Sequence, residues 1–82
     1  MKSLERIDEL KRLWTALIPT LTCPSDAQIL RWMARFDDSA LEYAVNRLAV
    51  KVRRGQIVSD EEAGRYTTGV LLNEERRAGE SV

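Results

Sequence analysis

The stretch Phe36–Arg77, FDDSALEYAVNRLAVKVRRGQIVSDEEAGRYTTGVLLNEERR, decides how this chain folds. In its first half Leu41, Ala44, Val45, Leu48 and Val52 recur at the three-and-four spacing of one helical face. A helix is therefore expected over about Ala40–Arg54. Gly55 supplies its C-terminal stop, and Lys51, Arg53 and Arg54 suit the negative end of its dipole. The second half opens with Asp60, Glu61 and Glu62 and closes with Arg76 and Arg77, the charge order of a second helix over about Asp60–Ala78. There Ala63, Tyr66, Thr67 and Val70 would face the core. Gly64 and Gly69 each cost about 1 kcal/mol relative to alanine inside a helix, so they mark either a close backbone approach or a local kink. The stretch reads as two amphipathic helices joined by a short basic turn.

Upstream, Leu4, Ile7, Leu10, Trp14, Leu17 and Ile18 predict a helix over about Ser3–Ile18, ended by Pro19, whose ring and missing N–H cannot continue the ladder. Thr20–Pro24 is the connection, with Leu21 tucked inward. Ile29, Trp32, Met33 and Phe36 predict a further helix over about Asp26–Phe36, broken by Asp37 and Asp38. Ser25-Asp-Ala-Gln28, Ser39-Ala-Leu-Glu42 and Ser59-Asp-Glu-Glu62 each place a serine three residues before Gln or Glu, the arrangement of a capping box. Gln56-Ile-Val58 is too short to count as a strand, and no internal repeat is present. The expectation is an all-α, compact bundle of four helices with short connections. Residues 1–78 form one domain, and 79–82 form a frayed polar tail.

A chain of 82 residues buries roughly 60% of its unfolded surface, so stability is marginal and a homodimer is one outcome to test. Thirteen basic and thirteen acidic side chains give a formal net charge of zero. A bulk pull on nucleic acid is therefore absent, and any such binding must come from local clustering. Cys23 is the single cysteine and histidine is absent, which removes an internal disulfide and the usual zinc spacings. No apolar run reaches the length of a membrane span, and the N-terminus lacks a signal-peptide core. A reducing, cytoplasmic setting is expected, without membrane, metal or cofactor.

Catalytic chemistry finds few materials here. There is no histidine base and no glycine-rich phosphate loop. The carboxylate pairs Asp37-Asp38 and Glu61-Glu62 sit at helix starts, where capping and dipole account for them. Cys23 has no partner base in sequence and reads as a partly buried thiol. Trp14 and Trp32 invite base stacking, but each falls mid-stripe on its helix and reads as core. A non-enzymatic module with no small-molecule substrate is expected.

The outer face of the third helix is the remaining candidate. Tyr43 and Val50 point away from its core stripe and are accompanied by Arg47, Lys51 and Arg54. Cations interleaved with an aromatic and an aliphatic can meet phosphates while stacking or packing on a partner. Alternatively this is a solvated face, or one covered by another helix. Arg65 and Arg76, on the outer face of the fourth helix, would lie nearby. Arg31 and Arg35 form a second outward pair that reads as solvated charge, with Arg35 extending the stripe if helices two and three are antiparallel neighbours.

Phe36-Asp37, Leu41-Glu-Tyr43-Ala-Val45, Lys51 and Tyr66-Thr-Thr-Gly-Val70-Leu-Leu-Asn73 together resemble the C-terminal module of DnaD-like replication proteins, over about residues 36–77. That family is all-helical and takes part in primosome assembly and helicase loading, binding DNA and replication partners. The resemblance implies Tyr43, Lys51, Tyr66, Gly69 and Asn73 as positions of interest. Glu74 stands where the family commonly has an aromatic, the tail is short and mixed, and the charge is neutral rather than positive. The implied function is a DNA- or protein-binding accessory of a replication or mobile-element system, touching nucleic acid or a helicase-like partner. The rival is a phage- or plasmid-borne adaptor or inhibitor, acting by protein contact alone.

Overall fold

The computed structural model describes residues 2–80, with side chains over residues 5–77. Four α-helices follow one another: α1 (Lys2–Leu17), α2 (Asp26–Arg35), α3 (Asp38–Arg53) and α4 (Asp60–Glu80). The fold is an all-α bundle with short connections, flattened to extents of 37 × 32 × 17 Å. No described helix is long and apolar enough to cross a membrane.

Local chemistry sets most of the boundaries. Ser25 sits in extended backbone and its Oγ accepts from Gln28 N at 3.3 Å, starting α2. Ser59 Oγ accepts from Glu62 N at 3.2 Å and donates to the Glu62 carboxylate at 3.2 Å, so the hydroxyl satisfies one orphan amide at the start of α4 while the Glu62 side chain holds it in place. The box expected at Ser39 does not form. Asp37 is the N-cap instead, its Oδ1 accepting from Ala40 N at 2.8 Å, which puts Ser39 inside the first turn of α3. The carboxylate two residues upstream reaches the orphan amide first. The α2–α3 junction is therefore only the extended Phe36 and the capping Asp37, and α3 begins two residues earlier than the serine predicts.

The end of α3 follows the expected chemistry. Gly55 has φ 73°, its N–H donates to Val52 O at 3.0 Å, and Gln56 N donates to Lys51 O at 3.0 Å. These paired bonds close a Schellman motif, which needs a left-handed residue where glycine alone is unstrained. The turn then carries Ile57 back into the core, a burial that the short Gln56-Ile-Val58 segment did not predict. α1 ends one residue before its expected stop, at Leu17, although Ile18 N still donates to Trp14 O at 2.7 Å. α4 runs to Glu80 rather than Ala78, so the tail expected at 79–82 is helical over its first two residues; residues 81 and 82 lie outside the described residues.

The core is one cluster. Ile7, Leu10 and Trp14 from α1 and Ile18 just after it meet Ile29, Trp32 and Phe36, then the α3 stripe of Leu41, Ala44, Val45 and Leu48. Leu17, Met33 and Val52 are only partly buried, and the side chain of Leu4 lies outside the described ones. Besides Ile57, two buried residues were not anticipated: Ala49 on α3 and Leu71 on α4. On α4 the stripe runs through Ala63, Thr67 and Leu71, one turn apart, which leaves Tyr66 and Val70 half-buried at its border. Thr67 tolerates burial because its hydroxyl donates to Ala63 O at 2.8 Å.

The cap assignment makes opposite demands on two neighbouring residues. Asp37→Ala should lower stability by about 1 kcal/mol in denaturant unfolding, whereas Ser39→Ala should leave the midpoint nearly unchanged. The glycines of α4 give a second expectation. α4 is continuous through Gly64 and Gly69, and a Cβ at either would meet nothing within 4 Å. No close approach among the described residues holds them. Gly64→Ala and Gly69→Ala should therefore each raise stability by about 1 kcal/mol, read as a higher thermal midpoint.

Candidate functional site

The buried stripe of α3 fixes where its other side points. Tyr43, Arg47, Val50 and Arg54 step along the opposite face at intervals of four, three and four residues, with Lys51 beside them. Tyr43 is 41% and Val50 42% exposed, so no described part of the chain closes over this face. Arg47 and Arg54 are exposed, and Lys51 is half-buried along its stem.

α3 and α4 form a hairpin that returns the C-terminal half of α4 to the N-terminal half of α3. A groove of about 320 Å³ lies between them, lined by Tyr43 and Arg47 on one side and by Val70, Asn73, Glu74, Arg76 and Arg77 on the other. Of the residues expected at the site, Tyr43, Arg47 and Arg76 thus share one groove. Val50, Lys51 and Arg54 continue the face along α3 toward the Gly55 turn. Arg65 does not join them. It shares the outer face of α4 with Arg76 but lies about 16 Å away by helix rise, beside a second groove next to α2. Asn73 was implied only by the family resemblance, and Arg77 read as a dipole partner. Their place in the groove depends on the hairpin, which no spacing within one helix reveals.

The cations of the molecule fall into two groups. Arg6 pairs with Asp38, Lys11 with Asp26, and Arg35 with Glu75, each across two helices. Arg65 and Arg77 pair within α4, with Glu61 at 3.7 Å and Glu74 at 3.4 Å. Arg12, Arg31, Arg47, Lys51, Arg53, Arg54 and Arg76 make no ion pair among the described residues. Four of these seven, Arg47, Lys51, Arg53 and Arg54, lie on or cap α3, and Arg76 faces them across the groove.

Arg35 is exposed, as its place in the sequence suggests, but it also has a partner. Its guanidinium donates twice to Glu75, from Nε at 3.0 Å and from an Nη at 2.7 Å, and lies 5.5 Å from the centre of the Phe36 ring. It clamps the end of α2 to α4 instead of extending the stripe. Arg31 is exposed as expected.

Trp14 and Trp32 are core residues, 2% and 3% exposed. Trp32 Nε1 donates to Thr68 Oγ1 at 3.3 Å, whereas Trp14 Nε1 has no partner among the described residues. Burial pushes the Cys23 thiol above its ordinary value, partly offset by Lys11, so the thiolate needed for nucleophilic chemistry is disfavoured. No cluster of three or more His, Cys, Asp or Glu side chains suited to a metal occurs among the described residues.

The Arg35–Glu75 clamp carries a pH signature. The hydrogen bond from Arg35 holds the Glu75 carboxyl below its ordinary value of 4.5. A depressed carboxylate stabilises the fold above its unfolded value and loses that contribution as pH falls through the folded one. Glu75→Gln should therefore unfold more easily than the parent at neutral pH. The two midpoints should converge below about pH 4.5, with melting curves across pH as the check.

No protein-family model matches this chain, and neither a curated protein nor a solved structure does.

Proposed function

We propose that this chain is a small, non-enzymatic, cytoplasmic binding module of a DNA replication or mobile-element system. It meets nucleic acid, or a helicase-like partner, through the outer face of α3 and the groove that this face shares with α4. The observation that carries the reading is the division of the cations. Among the described residues the paired ones hold helices together or lie within α4, while of the seven without an acid Arg47, Lys51, Arg53 and Arg54 gather along α3, with Arg76 across the groove. Unneutralised guanidinium and ammonium groups beside an exposed tyrosine are the equipment for phosphate contact with base stacking. The net charge of zero means that this local excess, not the whole molecule, must do the attracting. The replication setting rests on the DnaD-like resemblance over residues 36–77.

Titration of labelled single- and double-stranded oligonucleotides at low salt tests this directly. Binding should weaken steeply with salt, and Arg47→Ala or Arg54→Ala should each reduce the log–log salt slope by about 1. Tyr43→Ala should lower single-strand affinity roughly tenfold. Absence of binding to either oligonucleotide at low salt sinks the nucleic-acid reading.

A second reading is supported by Val50, an exposed aliphatic at the centre of the cationic stripe. Here the Tyr43/Val50 patch is a protein interface, in a homodimer or in a phage or plasmid adaptor or inhibitor, and the cations form its rim. Salt separates the two, since an apolar interface keeps its affinity where phosphate contacts lose theirs. Sedimentation of the parent and of Val50→Asp at high concentration decides the homodimer: a monomeric mass for the parent removes it.

A further inference from the structure

The acids left without a partner are sorted in space from the cations left without one. Among the described residues Glu5, Asp8, Glu9 and Glu42 neither form an ion pair nor accept a hydrogen bond on the carboxylate. Three of them lie on the first turns of α1 and the fourth near the start of α3, with the unpaired Arg12 offsetting one. Arg47, Lys51, Arg53 and Arg54 lie on or cap the second half of α3. The formal net charge of zero therefore hides two surfaces of opposite sign.

Each surface has an apolar centre. On the acidic side a groove runs among α1, α2 and α3, with the partly buried Leu13 and Met33 in its lining. Glu9 stands on its α1 wall and Glu42 on its α3 wall. Arg6 and Asp38 also line it, but they neutralise each other. On the cationic side the exposed Val50 lies between Arg47 and Arg54, which are about 10 Å apart by helix rise. An aliphatic flanked by two cations is the counterpart of an apolar groove flanked by two acids.

We infer that the groove receives the α3 face of a second copy of this chain, Val50 packing on Leu13 and Met33 while Arg47 and Arg54 meet Glu9 and Glu42. Charge selects this occupant. Two unneutralised carboxylates beside apolar surface favour a cationic, apolar ridge and disfavour an acidic or neutral one, and the chain itself exposes such a ridge. The two surfaces share no residue, so the contact is heterologous. Each copy in a pair still offers one free surface, and further copies can add. One helix face against one groove is a small contact, which places the association in the weak, concentration-dependent class. The inference rests on the reading of the Tyr43/Val50 patch as a protein interface and names what covers it. Nucleic acid and a second copy would compete for the same cations.

Sedimentation of the full chain at low salt, over a concentration series, tests this. The average mass should rise with concentration and return to that of one chain in high salt. Glu9→Lys/Glu42→Lys and Arg47→Glu/Arg54→Glu should each weaken self-association at least about tenfold, because each sets like charges against one another. The quadruple variant carrying all four changes keeps the net charge of zero and reverses both surfaces, so it should associate again. Damage to the fold cannot produce that recovery. Arg31→Glu/Arg65→Glu alters net charge as much as Arg47→Glu/Arg54→Glu without touching either surface, and it should still associate. If it does not, net charge governs the association and the inference falls. A parent of single-chain mass at every concentration overturns it, as does a quadruple variant that stays single. Association that survives Glu9→Lys/Glu42→Lys but not Arg47→Glu/Arg54→Glu also overturns it, and leaves the patch an interface through another contact. Glu9→Lys/Glu42→Lys keeps the cationic face, so its titration with oligonucleotide reports the nucleic-acid reading separately.

Discussion

The apolar stripe of α3 is the surface against which the other helices are held. α3 packs on α1, α2 and α4, and no other helix does as much. Leu41, Val45 and Leu48 supply the volume, while Ala44 and Ala49 keep the surface low enough for neighbouring backbones to close in. Burying one such large aliphatic is worth about 2 kcal/mol, so this stripe is a sizeable share of what an 82-residue chain can gather. Because α3 is claimed on its inner side by three partners, its outer side has none left to cover it. The exposed Tyr43–Arg54 face is the geometric remainder of the core.

Polar links between helices add modestly to stability and join specific helix ends. The Arg6–Asp38, Lys11–Asp26 and Arg35–Glu75 pairs are largely solvent-exposed, where an ion pair is worth little. Their role is to choose which helix end meets which. Asp38 receives α1 just after the Asp37 cap, and Asp60 accepts from Thr22 N at 2.9 Å at the start of α4. The acids at helix starts therefore serve two partners, the dipole of their own helix and a neighbouring element. With those acids occupied inside the fold, the positive charge of the α3 face has no internal counterpart.

α4 consequently carries two different surfaces. Toward α3 its C-terminal half presents Asn73, Arg76 and Arg77, a polar and cationic wall. Toward α2 its N-terminal half presents Gly64, Thr68, Gly69 and Leu72, a neutral and low one. The separation follows from packing α4 on α3 and bridging it to α2 by side chains alone. A helix packed against both would have closed the second groove.

Secondary structure was legible because its causes are local. Period, Pro19, Gly55 and the serine caps at Ser25 and Ser59 act within a few residues, and the helices fall where they place them. The misreading at Ser39 has the same scale: two capping candidates stood two residues apart, and the carboxylate of Asp37 displaced the hydroxyl. Tyr43 and Val50 were legible as outward-facing because α3 has a single apolar stripe. Arg35, Ile57, Leu71 and the Trp14 indole were not, since the residues packed around each lie far away in sequence. Amino-acid order by itself determined four helices, their ends and which side of α3 turns inward. Only tertiary packing decided which cations keep an acid partner, which helices share a groove and which donor is left without an acceptor, because burial and pairing belong to the space between helices.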